Sequence, residues 1–169
     1  MYPVLLTSRL QLVPFSKTDR ELLHQTFINP FVREFLWDDE MISEAQTKDI
    51  LEQNEQYFQV DHWGLWKIIR KADDTYLGFV GLWYFFDEDQ PQLLYGLLQT
   101  ATKEGYATEA SKAVIDYVFE ELGFSYLIAS CDSPHAASRE VAERLGMQFV
   151  EERTELGKPT AFYRLDKDT

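Results

Sequence analysis

The sequence predicts an α+β fold in which a mixed β-sheet of about seven strands carries helices on both of its faces. Two observations indicate this fold class. Ahead of residue 92, short apolar segments bounded by turn residues follow one another, as antiparallel strands do. From Gln92 onward, strand and helix patterns alternate, which is typical of strand–helix–strand units in a mixed sheet.

Length and composition indicate one globular domain, which we expect to span residues 1–169. With 45% hydrophobic and 15% aromatic residues, the chain is able to bury a substantial core. Its 16 basic and 29 acidic residues leave a formal charge of −13, which argues against nucleic acid and anionic membranes as partners. No apolar run approaches the roughly 18 residues of a membrane span. The lone Cys131 and the absence of an export-signal pattern predict a cytoplasmic protein.

The first 37 residues predict one strand and one helix. Residues 9–15 alternate in part and end at a proline, as a first strand does. A helix over about residues 19–27 is expected to end at Asn29 and Pro30. We expect the aromatic stretch 31–37 to be irregular.

The next segment predicts a helix followed by a β-hairpin. Ser43 and Gln46 have the spacing of a capping box, which predicts a helix over about residues 44–58. Strands over residues 63–70 and 77–85 are joined by a turn that contains two aspartates, so we expect an antiparallel hairpin.

Two glycines interrupt the second strand of this hairpin. Gly78 and Gly81 weaken a strand, so we expect either a bulge or a close approach of two backbones there. The strand that follows, over residues 92–98, is apolar on both faces and is therefore expected to be central.

From Thr108 onward, the hydrophobic residues recur at helical spacing instead of the spacing of a strand. Apolar residues on one face predict a helix that ends near Gly123, followed by a short strand over residues 126–130. Ser133 and Pro134 have the pattern of an N-cap and a first helical residue, which predicts a helix that ends at about Gly146. Strands over 148–154 and 160–165 then form a hairpin.

The segment from 97 to 110 has the strongest chemical signal. A buried strand leads through a short loop into an amphipathic helix, and glycine and alanine flank Tyr106. Such a turn directs backbone N–H groups toward one point beside a positive helix end, which suits a pyrophosphate. By itself this spacing is equally compatible with a plain connection from strand to helix. Walker and dinucleotide-binding glycine patterns are both absent.

With its surroundings, this segment resembles the acetyl-CoA-binding motif of the GNAT superfamily of N-acyltransferases. The resemblance is greatest to the branch of ribosomal-protein N-terminal acetyltransferases (RimJ/RimL-like) and covers nearly the whole chain. Four segments match the family in order and spacing: 7–12, 76–82, 105–123 and 138–147. The resemblance implies the GNAT fold, with a mostly antiparallel central sheet that opens between two neighbouring strands.

The resemblance also implies a reaction and its partners. An acetyl group would pass from acetyl-CoA, a cosubstrate, to a primary amine of a small molecule or of a protein or peptide N-terminus, by direct attack in a ternary complex. A backbone amide at Leu97 or Leu98 would polarise the thioester carbonyl. Family members hold the CoA diphosphate with loop amides, which fall here on Lys103, Glu104, Gly105, Tyr106, Ala107 and Thr108.

Four positions bear on the catalytic groups. Gln92 stands where relatives often have an acidic residue, and an amide cannot titrate as a base. Ala142 replaces a tyrosine that protonates the leaving thiolate in other branches. Ser138 is retained as the candidate proton donor, or else it is a first-turn hydroxyl that bonds to the backbone. His135 replaces an asparagine, and it either contacts CoA or faces solvent.

Several features leave alternatives open. The acidic runs 38–40 and 87–89 lie near the expected acceptor mouth, where they hold a cationic amine or are simply solvated. Six aromatic residues either line an acceptor groove or belong to the core: Trp37, Trp63, Trp66, Trp83, Tyr84 and Phe85. Cys131 is expected to be a small buried hydrophobe rather than a nucleophile. With His24 and His62, it shows no metal-ligand spacing, so we predict no metal.

Two rival functions remain at this point. One is a protein that has kept an acyl-CoA site but lost efficient catalysis and acts as a sensor, as Gln92 and Ala142 suggest. The other is a non-enzymatic module that holds a basic protein on its acidic surface. A monomer and a homodimer are both compatible with the sequence.

Overall fold

The computed structural model describes residues 2–36, 40–86 and 88–168, without the side chain of Phe35. One eight-stranded sheet organises these residues, in the order β1-β2-β3-β4-β5-β6-β8-β7. Only β5 and β6 are parallel, and all other neighbours are antiparallel. The strands are β1 (Leu5–Leu6), β2 (Leu10–Pro14), β3 (Leu65–Arg70), β4 (Thr75–Trp83), β5 (Gln92–Leu97), β6 (Tyr126–Asp132), β7 (Gln148–Glu155) and β8 (Lys158–Asp166).

Helices cover both faces of the sheet, as the sequence predicts. They are α1 (Arg20–Ile28), α2 (Pro30–Leu36), α3 (Glu44–Asp61), α4 (Tyr106–Glu120) and α5 (Ala136–Arg144). On one face, Val114 and Val118 of α4 pack in a core with Val80 of β4. On the other face, Leu23 of α1 packs in a second core with Phe79 of β4. The alternation of Phe79 and Val80 across the sheet thus separates the two cores.

Most predicted elements are confirmed within a few residues. The capping box forms as expected: the Gln46 amide donates to Ser43 Oγ (3.1 Å), and the Ser43 amide donates to Gln46 Oε1 (2.7 Å). β3 and β4 form the expected hairpin, and β5 lies inside the sheet. The sequence does not predict the eighth strand, β1, because two residues are too few to show the alternation of apolar and polar positions that marks a strand.

The expectation for residues 31–37 is wrong where the structure describes them, because Pro30–Leu36 is helix α2. The Asn29 side chain caps this helix by accepting hydrogen bonds from the amides of Phe31 (3.0 Å) and Val32 (3.4 Å). Pro30 occupies a first-turn position, where its missing N–H costs nothing. Asn29 and Pro30 therefore begin a new helix as well as ending α1.

The predicted start of α5 is also wrong. The helix begins at Ala136, and Ser133 and Pro134 lie in a turn closed by the His135 amide, which donates to the Asp132 carbonyl (2.8 Å). The Ser133 hydroxyl caps no amide and is buried without a hydrogen-bond partner in the part of the chain that the structure describes. This turn sets where the first residues of α5 lie beside β6.

Gly78 and Gly81 show both of the features expected of them. A Cβ at Gly78 would lie 2.1 Å from the carbonyl oxygen of Gly96, and a Cβ at Gly81 would lie 2.1 Å from that of Gly64. Gly78 also has a φ of +144°, and the pairing of β3 with β4 shifts register at Ile68 and Ile69. Gly78 therefore lets the β4 backbone lie close to β5, whereas Gly81 and the bulge belong to the contact of β4 with the β3 side.

Candidate active site

The sheet opens between β5 and β6. The two strands share a single paired position, Leu93 with Ala129, after which they separate. β6 is instead paired with β8 along its whole length, from Tyr126 to Asp132. The later part of β5 therefore has a ladder partner on its β4 side only.

Hydrogen-bond alternation decides which β5 amides face this opening. The Leu98 amide donates to the Leu77 carbonyl (2.9 Å), so it already has a partner on the β4 side. In an antiparallel ladder, successive residues direct their backbone groups to opposite sides. The amides of Tyr95 and Leu97 consequently point toward β6, into the gap. Of the two amides expected to polarise a thioester, Leu97 alone faces the opening.

The loop after β5 ends in a tight turn before α4. A short 3₁₀ segment over Gln99–Ala101 is followed by Lys103 with a φ of +68° and by Gly105 with a φ of +82°. Glu109 is the first residue of α4 whose amide bonds within the helix, donating to the Gly105 carbonyl (3.1 Å). The amides of residues 105–108 thus have no intrahelical acceptor and lie at the positive end of the helix dipole.

One buried side-chain hydroxyl in this turn, that of Thr108, has a hydrogen bond left to donate. Thr108 Oγ1 is buried and makes no hydrogen bond with any described residue. It lies in the first turn of α4 beside the unpaired amides, where a phosphate oxygen could accept a hydrogen bond from it. Glu104 is exposed and does not line the adjoining cavity, so its carboxylate is directed away from this point. The turn therefore fits an anionic diphosphate.

Opposite the gap, three side chains form a continuous hydrogen-bonded row. The Tyr95 hydroxyl donates to Ser138 Oγ (3.2 Å), and Ser138 Oγ is 2.9 Å from His135 Nδ1. The Ser138 hydroxyl therefore interacts with side chains rather than with the backbone. Tyr95 lies on β5 and Ser138 lies on α5. The hydrogen bond between them therefore links the sheet to α5 across the opening.

Burial dominates the acid–base properties of this row. It raises the pKa of Tyr95 to about 12, and it raises the pKa of the nearby Cys131 thiol to about 11. It lowers the pKa of His135, an effect that Asp132 and Glu34 partly offset. His135 is thus neutral, and Cys131 is a thiol, at neutral pH.

Gln92 lies away from this row in a polar cluster of its own. Its side chain is fully buried, donates through Nε2 to Glu88 Oε1, and accepts from Ser130 Oγ (2.6 Å). Burial raises the pKa of Glu88.

The acidic residues Glu88 and Asp89 line a small pocket of about 280 Å³. This pocket is separate from the larger cavity at the β5–β6 opening, which is described next. The described part of the acidic run 87–89 is therefore not at the cavity that the resemblance implies, and Asp87 lies outside the described residues, as do Trp37, Asp38 and Asp39.

A cavity of about 1060 Å³ joins the features of the opening. It runs from the turn before α4 along the β5–β6 gap to the Tyr95–Ser138–His135 row. Of the residues predicted to hold CoA or to act in catalysis, those that line it are Leu97, Lys103, Gly105, Tyr106, Ala107, Thr108, His135 and Ser138. Leu98 and Glu104 do not line it; Leu98 packs against the core on the face of α1.

The cavity also reaches apolar side chains outside these elements. Phe31 and Leu36 of α2, Phe85 after β4 and Leu156 at the β7–β8 turn line it. Phe31, Phe85 and Leu156 are also exposed, at 39%, 40% and 84%. The other described aromatics named from the sequence do not line the cavity. Trp63 and Trp66 are core residues, Trp83 packs against the core on the face of α1, and Tyr84 stacks edge-on against Trp63.

Sequence reasoning missed Tyr95 as a site residue. In the sequence it occupies one of the apolar positions of a central strand, and no local pattern marks its hydroxyl as functional. The signal that could have found it is its parity with Leu97, because residues two apart on a strand face the same side.

The described residues contain neither a cluster of metal-ligating side chains nor a helix suited to cross a membrane. Among residues 2–36, 40–86 and 88–168, no three His, Cys, Asp or Glu side chains lie close enough to ligate a metal ion. None of the helices in the same residues combines the length and the apolar character that a bilayer span requires.

Comparison with known proteins agrees with this geometry. The family model described as "Acetyltransferase (GNAT) domain" matches residues 9–148. Two Bacillus subtilis proteins are similar in sequence: the uncharacterized N-acetyltransferase YnaD is 26% identical over 81 residues, and the uncharacterized protein YkkB is 33% identical over 101 residues. These matches cover 48% and 59% of the present chain. The chain spans 48% of the length of YnaD and 59% of that of YkkB.

Among solved structures, the fold is similar to that of RimL, a ribosomal L7/L12 α-N-protein acetyltransferase in complex with coenzyme A. The TM-score is 0.82 at 15% sequence identity, over 97% of this chain and 98% of that one. The likeness at this identity concerns the fold. Together with the match of the family model over residues 9–148, it leads to one assignment: the chain belongs to the GNAT acetyltransferase family.

Proposed function

We propose that the protein is an acetyl-CoA-dependent N-acetyltransferase that acetylates a primary amine by direct attack. One observation carries this proposal: a parted pair of strands ends beside a helix N-terminus whose first amides have no intrahelical acceptor, and Thr108 Oγ1 has no partner among the described residues. A cosubstrate with a diphosphate at one end and an amide-containing arm has the chemistry to satisfy both features.

The residues of this chain divide the binding of acetyl-CoA between two places. Amides of residues 103–108 and the Thr108 hydroxyl would hold the diphosphate, with Lys103 adding a positive charge. Backbone groups of Tyr95 and Leu97 would pair with the amides of the pantetheine arm, as a neighbouring strand does. Ser138 and His135 lie at the same cavity and would face the thioester end.

The reaction then needs three contributions from the protein. The Leu97 amide would donate to the thioester oxygen as negative charge develops there. The cavity would hold the neutral amine against the carbonyl carbon, and such positioning supplies several kcal/mol of rate enhancement. The amine lone pair forms the C–N bond, and the C–S bond breaks toward sulphur. Ser138 would protonate the leaving thiolate, and the proton that the amine loses would restore Ser138.

The lining of the cavity bears on the acceptor. Phe31, Leu36, Phe85 and Leu156 add apolar surface beyond the region assigned to acetyl-CoA. We expect a primary amine that carries an apolar group, on a small molecule or at a peptide N-terminus, to be preferred. We expect residues 1–169 to form a single domain that acts as a monomer or a homodimer. Its one half-buried cysteine is compatible with the reducing cytoplasm, where we expect the protein to work.

Two measurements test the proposal in sequence. Acetyl-CoA at about 100 times its dissociation constant should raise the free energy of unfolding by roughly 2.7 kcal/mol, seen as a higher melting temperature. Free thiol release is then followed with acetyl-CoA and a panel of polyamines, amino acids, aminoglycosides and N-terminal peptides. Thermal stabilisation without thiol release from any amine favours the catalytically weak acyl-CoA-binding alternative. Absence of stabilisation contradicts both.

A further inference from the structure

Gln92 leaves the reaction without a carboxylate base at the start of β5, because its amide is fully buried and bonded to Glu88 and Ser130. The described residues offer another group at the opening. His135 lines the cavity and is joined through Ser138 to Tyr95, which stands on the strand assigned to the thioester.

The direction of the hydrogen bonds in this row follows from its first member. The Tyr95 hydroxyl donates a hydrogen bond to Ser138 Oγ (3.2 Å). The Ser138 hydroxyl is therefore free to donate its own hydrogen bond to His135 Nδ1 (2.9 Å). This arrangement requires the His135 tautomer that carries its proton on Nε2. An asparagine at this position could accept the same hydrogen bond but could not take up the proton.

We propose that Tyr95, Ser138 and His135 form a proton relay in which His135 is the base for the attacking amine and Ser138 passes the proton in both directions. This inference rests on the proposed function. Ser138 contacts the reacting atoms, whereas His135 and Tyr95 act through Ser138 and are positioning residues. Tyr95 keeps one lone pair of Ser138 Oγ engaged and thereby orients its proton.

The relay balances over two steps. During attack, a proton of the amine passes to Ser138 Oγ while the Ser138 proton passes to His135 Nδ1. During collapse, the C–S bond breaks with its electron pair on sulphur, His135 returns the proton to Ser138, and Ser138 protonates the thiolate. The net change is one proton moved from nitrogen to sulphur, and all three side chains end as they began.

The surroundings of His135 favour its role as a base. Burial lowers its pKa, so it is neutral and able to accept a proton at neutral pH. The charged and titratable groups facing the row come from five elements: Glu34 of α2, Tyr95 of β5, Cys131 and Asp132 of β6, Glu140 of α5 and Lys158 of β8. Lys158 is paired with Asp132 at 2.7 Å, which weakens the effect of that carboxylate on His135.

The test compares His135→Asn with the wild-type protein, using the fastest amine of the panel above and saturating acetyl-CoA. We expect kcat to fall on the order of 100-fold, while the affinity for acetyl-CoA is retained. The ratio of variant to wild-type kcat/KM is measured against pH, because the ionisation of the acceptor cancels in that ratio. The ratio should rise toward acid pH, where His135 of the wild-type protein becomes protonated and loses its advantage.

Controls separate the relay from folding and from the proposed function. His24→Asn removes another histidine whose Nδ1 bonds a hydroxyl, that of Thr47 at 2.8 Å, and should leave kcat unchanged. Tyr95→Phe should lower kcat without changing acetyl-CoA affinity, whereas Tyr76→Phe, which removes a buried hydroxyl bonded to Thr26, should not. A flat pH ratio, or full kcat in His135→Asn, overturns the relay alone. Wild-type protein that turns over no amine overturns the proposed function as well.

Discussion

The Glu109 carboxylate of α4 is bound to Arg9 at the start of β2. Its Oε1 accepts from Arg9 Nε (2.7 Å), and its Oε2 accepts from the Arg9 amide (2.9 Å) and from Thr7 Oγ1 (2.5 Å). The Arg9 guanidinium also stacks on the Tyr106 ring, with 4.4 Å from Cζ to the centroid. These contacts fix the first turn of α4, which holds the unpaired amides, to the residues just before β2.

Replacing this carboxylate should loosen both the fold and the loop. We expect Glu109→Gln to lower the free energy of unfolding by about 1–2 kcal/mol, because charge-assisted hydrogen bonds are replaced by neutral ones. Acetyl-CoA affinity should fall with it, whereas Glu120→Gln, an exposed change on the same helix, should alter neither. Denaturant unfolding and acetyl-CoA titration measure the two effects, and equal behaviour of the two variants would contradict the assignment.

The same carboxylate predicts a dependence on pH. Burial would raise the pKa of Glu109, but the hydrogen bonds from Thr7 and Arg9 outweigh it and hold that pKa below its ordinary value. A carboxyl with a lowered folded-state pKa stabilises the protein above its unfolded-state pKa. The stability difference between wild type and Glu109→Gln should therefore be full at neutral pH and shrink as pH falls through the folded-state pKa. A difference that does not change with pH contradicts this.

The loop glycine should affect ligand binding more than folding. Gly105 has a φ of +82°, and an added Cβ would meet only Arg9 Nη2 at 3.4 Å. Gly105→Val should cost about 1–3 kcal/mol of stability through backbone strain. Gly123→Val is the matched control, since Gly123 has a φ of +76° with nothing nearby. We expect acetyl-CoA affinity to fall in the first variant only, and equal affinities would count against the loop.

One buried amide side chain should be essential for stability. Asn54 of α3 is fully buried, donates through Nδ2 to the Phe15 carbonyl (3.1 Å) and accepts through Oδ1 from the Leu65 amide (2.7 Å). Asn54→Ala leaves both backbone groups without partners, which should lower the free energy of unfolding by about 2–5 kcal/mol. Exposed Gln53→Ala serves as the control in denaturant unfolding, and a loss of similar size in both variants would refute the role of Asn54.

Cys131 should react slowly with alkylating agents. Burial raises its pKa to about 11, so the reactive thiolate is scarce at neutral pH and its share rises about tenfold per pH unit. Because it is the only cysteine, the labelled fraction measured by mass spectrometry reports on it alone. Acetyl-CoA should slow the labelling further, since Cys131 lines the cavity. Labelling as fast as in urea-unfolded protein would disprove the burial argument.

Local signals in the sequence predicted the elements whose ends are marked by single residues. The capping box of Ser43 and Gln46 and the glycine at the end of α4 are of this kind, because each side chain or φ angle acts within one turn. Asn29 and Pro30 show the weakness of such signals. The same pair of residues ends one helix and starts the next, and tertiary packing of Val32 into the core decides between a loop and α2.

The candidate site was predictable where it consists of backbone. The turn before α4 has its glycine and its helix pattern in consecutive residues, so the sequence alone indicates it. The row of Tyr95, Ser138 and His135 depends on β5 and α5 meeting across the opening, and no local pattern encodes that contact. The occupied Leu98 amide is likewise a matter of register, which only the pairing with Leu77 defines.

The single bridge between Leu93 and Ala129 has a mechanical consequence. In the described part of the sheet, five strands lie on one side of that bridge and three on the other. Strand pairing therefore contributes little to the width of the cleft. The two parts of the sheet should be able to shift against each other here more readily than at seams that full ladders hold together.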